Sequence, residues 1–172
     1  PDSIAKLFAS HMPWFIHQEG QAILSRFPIV GHRYVRFPGS GNDYLQADVK
    51  IGGDTVRIFS VHLQTSGISS LRHRFRKDHD RDVPVERVIG ELERNSRIRA
   101  QQVREIRTVI DSTRYPVIVA GDFNDTPSSY TYRQLKGGMT DGFRAVGNGF
   151  GGTFRYLGGV LRIDYIFYDN RF

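Results

Sequence analysis

A carboxylate and an amide stand two positions apart at the end of an apolar run in this chain. The run is Val117–Ala120, and Gly121, Asp122, Phe123 and Asn124 follow it. Side chains at positions i and i+2 of a strand point to the same side, so Asp122 and Asn124 can converge on one ligand. The acid can orient or deprotonate a water molecule, while the amide donates to a phosphoryl oxygen and accepts from the same water. This pattern suits a metal-assisted phosphate site. The alternative is that these residues only form a turn, since Gly, Asp and Asn are all favoured where a strand ends.

Two further predicted strands carry an ionisable residue at a comparable place. The alternating segment 54–63 has His62 at its exit, before a Gly/Ser-rich loop. The alternating segment 162–168 has Asp164 inside an otherwise apolar strand, where a buried carboxylate would need a partner. We therefore expect one cleft to be lined by His62, Asp122, Asn124 and Asp164.

The order of short motifs along the chain is more specific than any one of them. The motifs are Ser60–Leu63, Gly121–Asn124, Gly152–Phe154 and Arg162–Tyr165, with Gln21–Ile29 before them. Together they resemble successive motifs of the endonuclease/exonuclease/phosphatase superfamily, the deoxyribonuclease I-like metal-dependent phosphohydrolases. The likeness runs over most of the chain and implies a mixed-sheet α/β sandwich, with residues 1–172 forming one partial domain.

The resemblance also implies a mechanism, which is hydrolysis of a phosphoester by an in-line water with Mg²⁺ or Mn²⁺ as cofactor. Asp122 would hold the metal and orient or deprotonate the water, and Asn124 would hold that water and a phosphoryl oxygen. His62 would donate to a non-bridging oxygen as charge develops. Asp164 would raise the basicity of a histidine that the family carries in a later Ser-Asp-His motif.

This chain departs from the family pattern at both ends. It lacks the family's early Asn, the Gln-Glu motif whose Glu holds the cation, and the final Ser-Asp-His. Gln18-Glu19 abuts the early strand, so we interpret Glu19 as an ordinary flanking residue. We therefore expect an incomplete fold without its first strands and last strand, and impaired activity relative to a complete parent enzyme. The alternative is a non-catalytic anion- or partner-binding domain derived from the same fold.

Composition sets looser limits. The 172 residues, 39% of them hydrophobic, suffice for one domain with a core, and no stretch reaches the apolar length of a membrane span. We expect a soluble domain, either cytoplasmic or tethered to a membrane through a segment that this sequence lacks. The absence of Cys excludes disulfides and thiolate sites, so a metal would be held by oxygen or imidazole, which favours magnesium, manganese or calcium.

The charge balance favours an acidic partner. Lys and Arg total 24 against 18 Asp and Glu, a net charge of +6 that raises the local concentration of polyanions such as nucleic acid. Five basic and three acidic residues crowd positions 71–82. Two interpretations of that segment stay open. It is either a solvated loop or a substrate loop in which Arg72, Arg74 and Arg76 contact phosphates.

Hydrophobic periodicity and turn residues predict the element order. We expect strands at 21–27, 116–121, 152–156 and 162–168, a hairpin of 44–51 with 54–63, helices through 84–112 and a short helix at 129–136. Gly52-Gly53 would turn the hairpin, and Asn95-Ser96 would split the helical region. Arg99 interrupts the apolar stripe of that region, where it would either reach a buried carboxylate or extend to the rim.

Overall fold

A computed structural model describes residues 7–67, 85–154 and 159–172. The strands, in chain order, are β1 (Trp14–Gln18), β2 (Gln21–Ser25), β3 (Ile29–Arg36), β4 (Asp43–Ile51), β5 (Asp54–His62), β6 (Val117–Asp122), β7 (Thr140–Asp141) and β8 (Asp164–Tyr168). The helices are α1 (Val85–Ser112), α2 (Tyr130–Lys136) and α3 (Gly142–Val146).

Six of the strands form one mixed sheet in the order β3-β4-β5-β6-β8-β7. Only the β5–β6 pair is parallel in this sheet, and β1 and β2 form a separate antiparallel hairpin. The predicted hairpin of β4 and β5 is confirmed, because Ile51 pairs with Asp54 across the Gly52-Gly53 turn. The architecture is the α/β class with a mixed sheet that the sequence predicted.

The main core lies between one face of this sheet and helices α1 and α2. Val103, Ile106 and Ile110 of α1 pack in one cluster with Phe59 of β5 and Phe167 of β8. Fully burying side chains of this size stabilises a fold by about 1.5–3 kcal/mol each. Helix α1 therefore anchors the centre of the sheet, which holds the predicted site strands β5, β6 and β8.

The opposite face of the sheet is covered unevenly. The β1–β2 hairpin covers β4, where Ile23 packs with Leu45 and Ala47. Over β6 and β8 the described residues leave the same face open, and it borders a cavity of about 740 Å³ lined by Phe143 and Ile166, among others. The predicted site strands therefore have one face buried against the helices and one face accessible.

Several predicted elements differ from the structure. The predicted split of α1 at Asn95-Ser96, with Ser96 capping a second helix, is wrong: the helix is continuous over 28 residues, and the Asn95 side chain is buried in tertiary hydrogen bonds. Strands β1 and β3 were not predicted, since both are largely exposed and lack a clean alternation. In the predicted strand 152–156, Phe154 forms an isolated bridge with Leu161, and residues 155–158 lie outside the described part.

No helix within the described ranges is long and apolar enough to cross a membrane.

Candidate active site

Five polar residues form one row across the sheet. His62 is the register partner of Asp122 across the parallel β5–β6 pair, and Asp122 is the partner of Asp164 across β6–β8. The row continues from His62 to Asp43 on β4 and from Asp43 to Arg36 on β3. The structure thus brings three of the four predicted site residues together on adjacent strands at the same level.

The alternation of side chains decides which face this row presents. Val61 and Tyr165 pack into the core beside the helices, so their neighbours His62 and Asp164 project from the other face, and both are exposed. Asp122 is partly buried between them. The row therefore combines a carboxylate sheltered from water with two flanking groups that a ligand can reach.

Gly121 lets Asp122 lie level with His62. The backbone of Gly121 has φ of +147°, a conformation that glycine adopts easily and L residues rarely. A Cβ at this position would overlap the carbonyl oxygen of Val61 on β5. The glycine before the acid is therefore required by the close approach of the two parallel strands.

Burial raises the pKa of Asp122 above its ordinary value, and the negative charge of Asp164 adds to this effect. The backbone N–H of Asn124, which donates to Asp122 Oδ1 at 2.8 Å, and the nearby His62 act in the opposite direction. The net direction is upward, so this carboxylate holds a proton more readily than an ordinary aspartate. Such a shift improves a carboxylate as a general base.

Asn124 lies in the turn after β6 in a left-handed conformation, with φ of +50°. Asparagine tolerates this region better than most residues. Its Nδ2 donates to the carbonyl oxygen of Leu63 at 2.9 Å, which ties the turn to the chain just after His62. An asparagine amide has two N–H donors and one oxygen, so a bond to Leu63 leaves further capacity for a ligand.

The Gly152–Phe154 motif acts on the start of β8. The Thr153 hydroxyl oxygen accepts hydrogen bonds from the backbone N–H groups of Ile163 and Asp164, both at 3.1 Å. The hydroxyl therefore fixes the backbone that carries Asp164. The expectation that Asp164 is a buried carboxylate in need of a partner is wrong, because this strand position faces the open side and the residue is exposed.

The donor set fits a hydrated cation better than an enclosed one. Among residues 7–67, 85–154 and 159–172, no group of three His, Asp or Glu side chains is placed to hold a metal ion. Asp122 and Asp164 still supply carboxylate oxygens on adjacent strands, the donor type that Mg²⁺ and Mn²⁺ prefer. Since Mg²⁺ is often held by one or two carboxylates and keeps several waters, the chemistry of these two residues fits such an ion, and Asp122 is the one that the sequence predicts as its ligand.

Two other sequence expectations concern residues away from this row. Glu19 lies in the β1–β2 turn and forms an exposed ion pair with Arg36 at 3.6 Å, at the end of the row remote from Asp164. The predicted substrate contacts Arg72, Arg74 and Arg76 lie outside the described residues.

The sequence did not single out the hydrogen bonds behind His62. Asp43 is buried, and its carboxylate accepts from Gln21 Nε2 at 2.9 Å and from the Tyr34 hydroxyl at 2.8 Å. Gln21 in turn accepts from the Ser60 hydroxyl at 2.6 Å. These bonds join the β1–β2 hairpin to the strand that ends at His62. Their partners come from separate strands, so sequence spacing carries no signal for them.

Comparisons with known proteins bear on the family and the fold of this chain. The sequence profile described as the Endonuclease/Exonuclease/phosphatase family matches residues 3–172. No curated protein sequence matches the chain. Sphingomyelinase C from Streptomyces griseocarneus superposes with a TM-score of 0.66 at 18% identity, covering 98% of this chain and 66% of that one.

Two further solved structures are similar. A beta toxin from Staphylococcus aureus has a TM-score of 0.59 at 16% identity, with 98% of this chain and 67% of that one covered. D. rerio TDP2, in complex with a single strand DNA product, has a TM-score of 0.61 at 17% identity, with 96% and 66% covered. The chain spans about two thirds of the length of these structures. At such identities the likeness shows a shared fold.

Proposed function

Because this chain belongs to the Endonuclease/Exonuclease/phosphatase family, we propose that its site hydrolyses phosphoester bonds with Mg²⁺ or Mn²⁺ as cofactor. The observation that carries the proposal is the register of His62, Asp122 and Asp164 on three adjacent strands, with Asn124 in the turn that follows. A partly buried acid between a histidine and a second acid is an arrangement for proton transfer beside a charged substrate.

The proposed reaction is in-line attack of a water on phosphorus. Asp122 orients the water and accepts its proton as the new P–O bond forms, which its raised pKa favours. The bond from phosphorus to the leaving oxygen breaks, and that oxygen leaves with the bonding electron pair. The divalent cation, held by Asp122, would supply positive charge to the phosphoryl oxygens.

His62 and Asn124 stabilise the charge that develops. The exposed imidazole of His62, on the strand next to Asp122, donates to a non-bridging oxygen. The Asn124 amide holds the attacking water and a second phosphoryl oxygen. Asp164 adds negative charge beside Asp122, which keeps the proton affinity of that carboxylate high.

Nucleic acid is the substrate class we propose first. The net charge of +6 attracts polyanions, and TDP2 of the same fold is seen with a single strand DNA product. A phospholipid phosphoester is the alternative, because another structure of this fold is a sphingomyelinase. A non-catalytic anion-binding domain is the competing function. It is favoured by one observation, that the described residues contain no three-residue metal group.

The test is turnover of an activated phosphodiester, a single-stranded oligonucleotide and sphingomyelin vesicles with excess Mg²⁺, excess Mn²⁺ or a chelator. We expect metal-dependent turnover that Asp122→Asn lowers at least about a hundredfold, because the substitution removes the base and leaves a similar shape. The matched control is Asp54→Asn, which makes the same change at the exposed β4–β5 turn. Activity that survives Asp122→Asn would overturn the proposal, and binding without turnover would favour the non-catalytic domain.

A further inference from the structure

Helix α1 presents a polar patch to the interior on the turns before its apolar stripe. Asn95, Arg99 and Gln102 are 2%, 5% and 3% exposed, and their spacing of four and three residues places them on one side of the helix. Burying such groups costs free energy unless they are hydrogen-bonded. In the described part of the chain no buried side-chain nitrogen or oxygen lacks a partner, so this patch is fully engaged.

The patch holds the loop after β5, which begins directly after His62. Gln102 Oε1 accepts from the backbone N–H of Gln64 at 2.8 Å, and Arg99 Nη1 donates to the Gln64 carbonyl oxygen at 3.1 Å. Asn95 Nδ2 donates to the carbonyl oxygen of Ser66 at 3.3 Å. The helix therefore holds both the backbone N–H and the carbonyl oxygen of Gln64, and also the carbonyl oxygen of Ser66.

Arg99 also holds the loop after β6. Its Nε donates to Asp125 Oδ2 at 3.1 Å, with the two side chains 6% and 18% exposed. Asp125 directly follows Asn124. The side-chain amide of Asn124 donates to the carbonyl oxygen of Leu63, and this hydrogen bond links the two loops. Of the three patch residues, Arg99 thus contacts both loops, through two nitrogens of one rigid guanidinium plane.

Hydrogen bonds add to packing in holding these loops, whose first residues Leu63 and Phe123 are fully buried. A pocket of about 180 Å³ lies against Ser66, Asn124 and Asp125, with Arg99 in its wall. Side chains beside this space have fewer packing contacts on that side, so directional hydrogen bonds contribute to the loop positions. The arginine is the shared donor in that set.

We propose that Arg99, supported by Asn95 and Gln102, is a positioning residue that fixes the loop after His62 and the loop carrying Asn124 relative to each other. The effect of Arg99 on catalysis rests on the proposed function, whereas its effect on the positions of the two loops does not. Removing the guanidinium takes the Arg99 donor from the Gln64 carbonyl oxygen and from Asp125 Oδ2, so both loops lose position together. Arg99 acts through these loops and not on the substrate.

The first test is amide hydrogen exchange, which needs no turnover. In Arg99→Met we expect exchange at Gln64 and Asn124 to speed up at least about tenfold relative to core amides of β4, because the loops open locally while the sheet stays folded. The control is Arg107→Met on the same helix, which removes an arginine paired with Asp111 and leaves both loops untouched. Equal exchange in wild type and Arg99→Met, or a uniform rise at every amide, would overturn the proposal.

The second test is the split between kcat and KM on the activated phosphodiester. We expect Arg99→Met to lower kcat at least about tenfold with little change in KM, since misplaced reacting groups cost rate more than binding. Arg107→Met should match wild type, and a change confined to KM would contradict the proposal. If wild type shows no turnover, the proposed function fails, while the exchange test still decides the positioning role.

A second variant covers the case in which Arg99→Met does not fold. Gln102→Leu removes the acceptor for Gln64 and leaves the Arg99–Asp125 pair in place. We expect faster exchange at Gln64 with Asn124 unchanged. Protection at Gln64 equal to wild type would overturn the proposal.

Discussion

Gly121 determines where Asp122 lies, and this makes it as important to the site as the acid itself. Its φ of +147° and the overlap that a Cβ would make with Val61 are two separate obstacles to any other residue. Gly121→Ala should therefore lower the free energy of unfolding by about 3 kcal/mol or more, from backbone strain and overpacking together.

Urea unfolding measures the effect of Gly121→Ala, with Gly53→Ala as control. Gly53 lies in the β4–β5 turn without positive φ, and a Cβ there meets nothing within 4 Å. The control should change stability little. A Gly121→Ala protein as stable as wild type would show that β5 and β6 leave room for a side chain between them.

Asp122 is also a residue whose charge works against folding. Burial and Asp164 raise its pKa, so the folded state binds the proton more tightly than the unfolded state does. Stability therefore falls as pH rises from the ordinary aspartate range through the raised pKa. Asp122→Asn removes this penalty, and we expect a higher Tm than wild type at pH 7 in chelator.

The Tm difference between Asp122→Asn and wild type should shrink as pH falls below the ordinary aspartate pKa, where both states of wild type are protonated. The exposed Asp54→Asn control should show no such gain. A lower Tm for Asp122→Asn at pH 7 would mean that the fold stabilises the carboxylate, which a raised pKa excludes.

Among the elements, the segment that leads into β8 is joined to β7 by a buried ion pair, and α2 is joined to the same carboxylate by a hydrogen bond. Arg162 donates to both oxygens of Asp141, at 2.8 and 2.7 Å, and the Tyr132 hydroxyl donates to Asp141 as well. The two charged side chains are 6% and 1% exposed. Arg162→Met leaves the acid unpaired and should cost about 3–5 kcal/mol, whereas Arg97→Met in an exposed pair should cost little.

The pH dependence of this pair has the opposite sign to that of Asp122. Burial alone would raise the pKa of Asp141, but the hydrogen bonds from Arg162 and Tyr132 bring it below its ordinary value. The stabilisation is therefore present above the ordinary aspartate pKa and is lost as pH falls through the lowered one. Acid unfolding monitored by circular dichroism should begin at higher pH in Arg162→Met. Superimposable acid transitions would contradict this.

The sequence predicted those secondary-structure elements that depend on residues close together in the chain. The Gly52-Gly53 hairpin turn formed as predicted, and so did the short helix α2. In the structure Ser129 caps the start of α2 and Gly137 its end. Strand β3 escaped prediction because it is an edge strand with mixed exposure. The continuity of α1 through Asn95 also escaped, since its reason is a bond to Ser66, far away in sequence.

The sequence identified the site residues by their places in the strands, but it did not predict how these residues are arranged in space. His62, Asp122 and Asp164 stood out because each interrupts an apolar strand. Their shared level in the sheet depends on register, and the support from Arg99 depends on which carboxylate it meets. From the sequence, Arg99 could either pair with a buried carboxylate or extend to the rim of the core. The structure shows that it pairs with Asp125. When tertiary packing decides which residues pair, the sequence contains no fixed spacing from which the pair could be predicted.

For the whole molecule, the open face over β6 and β8 is the most consequential surface. Ile166 is 57% exposed and Val146 is 86% exposed, and both line the cavity of about 740 Å³. Contiguous apolar surface of this kind binds apolar partners or dyes. We expect the folded protein to bind anilinonaphthalene sulfonate, and Ile166→Ser to weaken that binding with little loss of stability.

The control for the dye experiment is Ile51→Ser, at the β4–β5 turn and 38% exposed. It should leave dye fluorescence unchanged. Fluorescence of wild type at the level of buffer alone would mean that this face is covered in solution.

His62 and Asp122, on two adjacent strands, should work as one catalytic unit, and a double-mutant cycle tests this most directly. The rates of His62→Ala, Asp122→Asn and the double variant are compared with wild type on an activated phosphodiester in excess Mg²⁺, with the exposed His32→Ala as control. We predict that each single change costs at least about a hundredfold and that the double variant lies within about threefold of the slower single variant. Losses that multiply, or His62→Ala at the rate of wild type, would contradict the account.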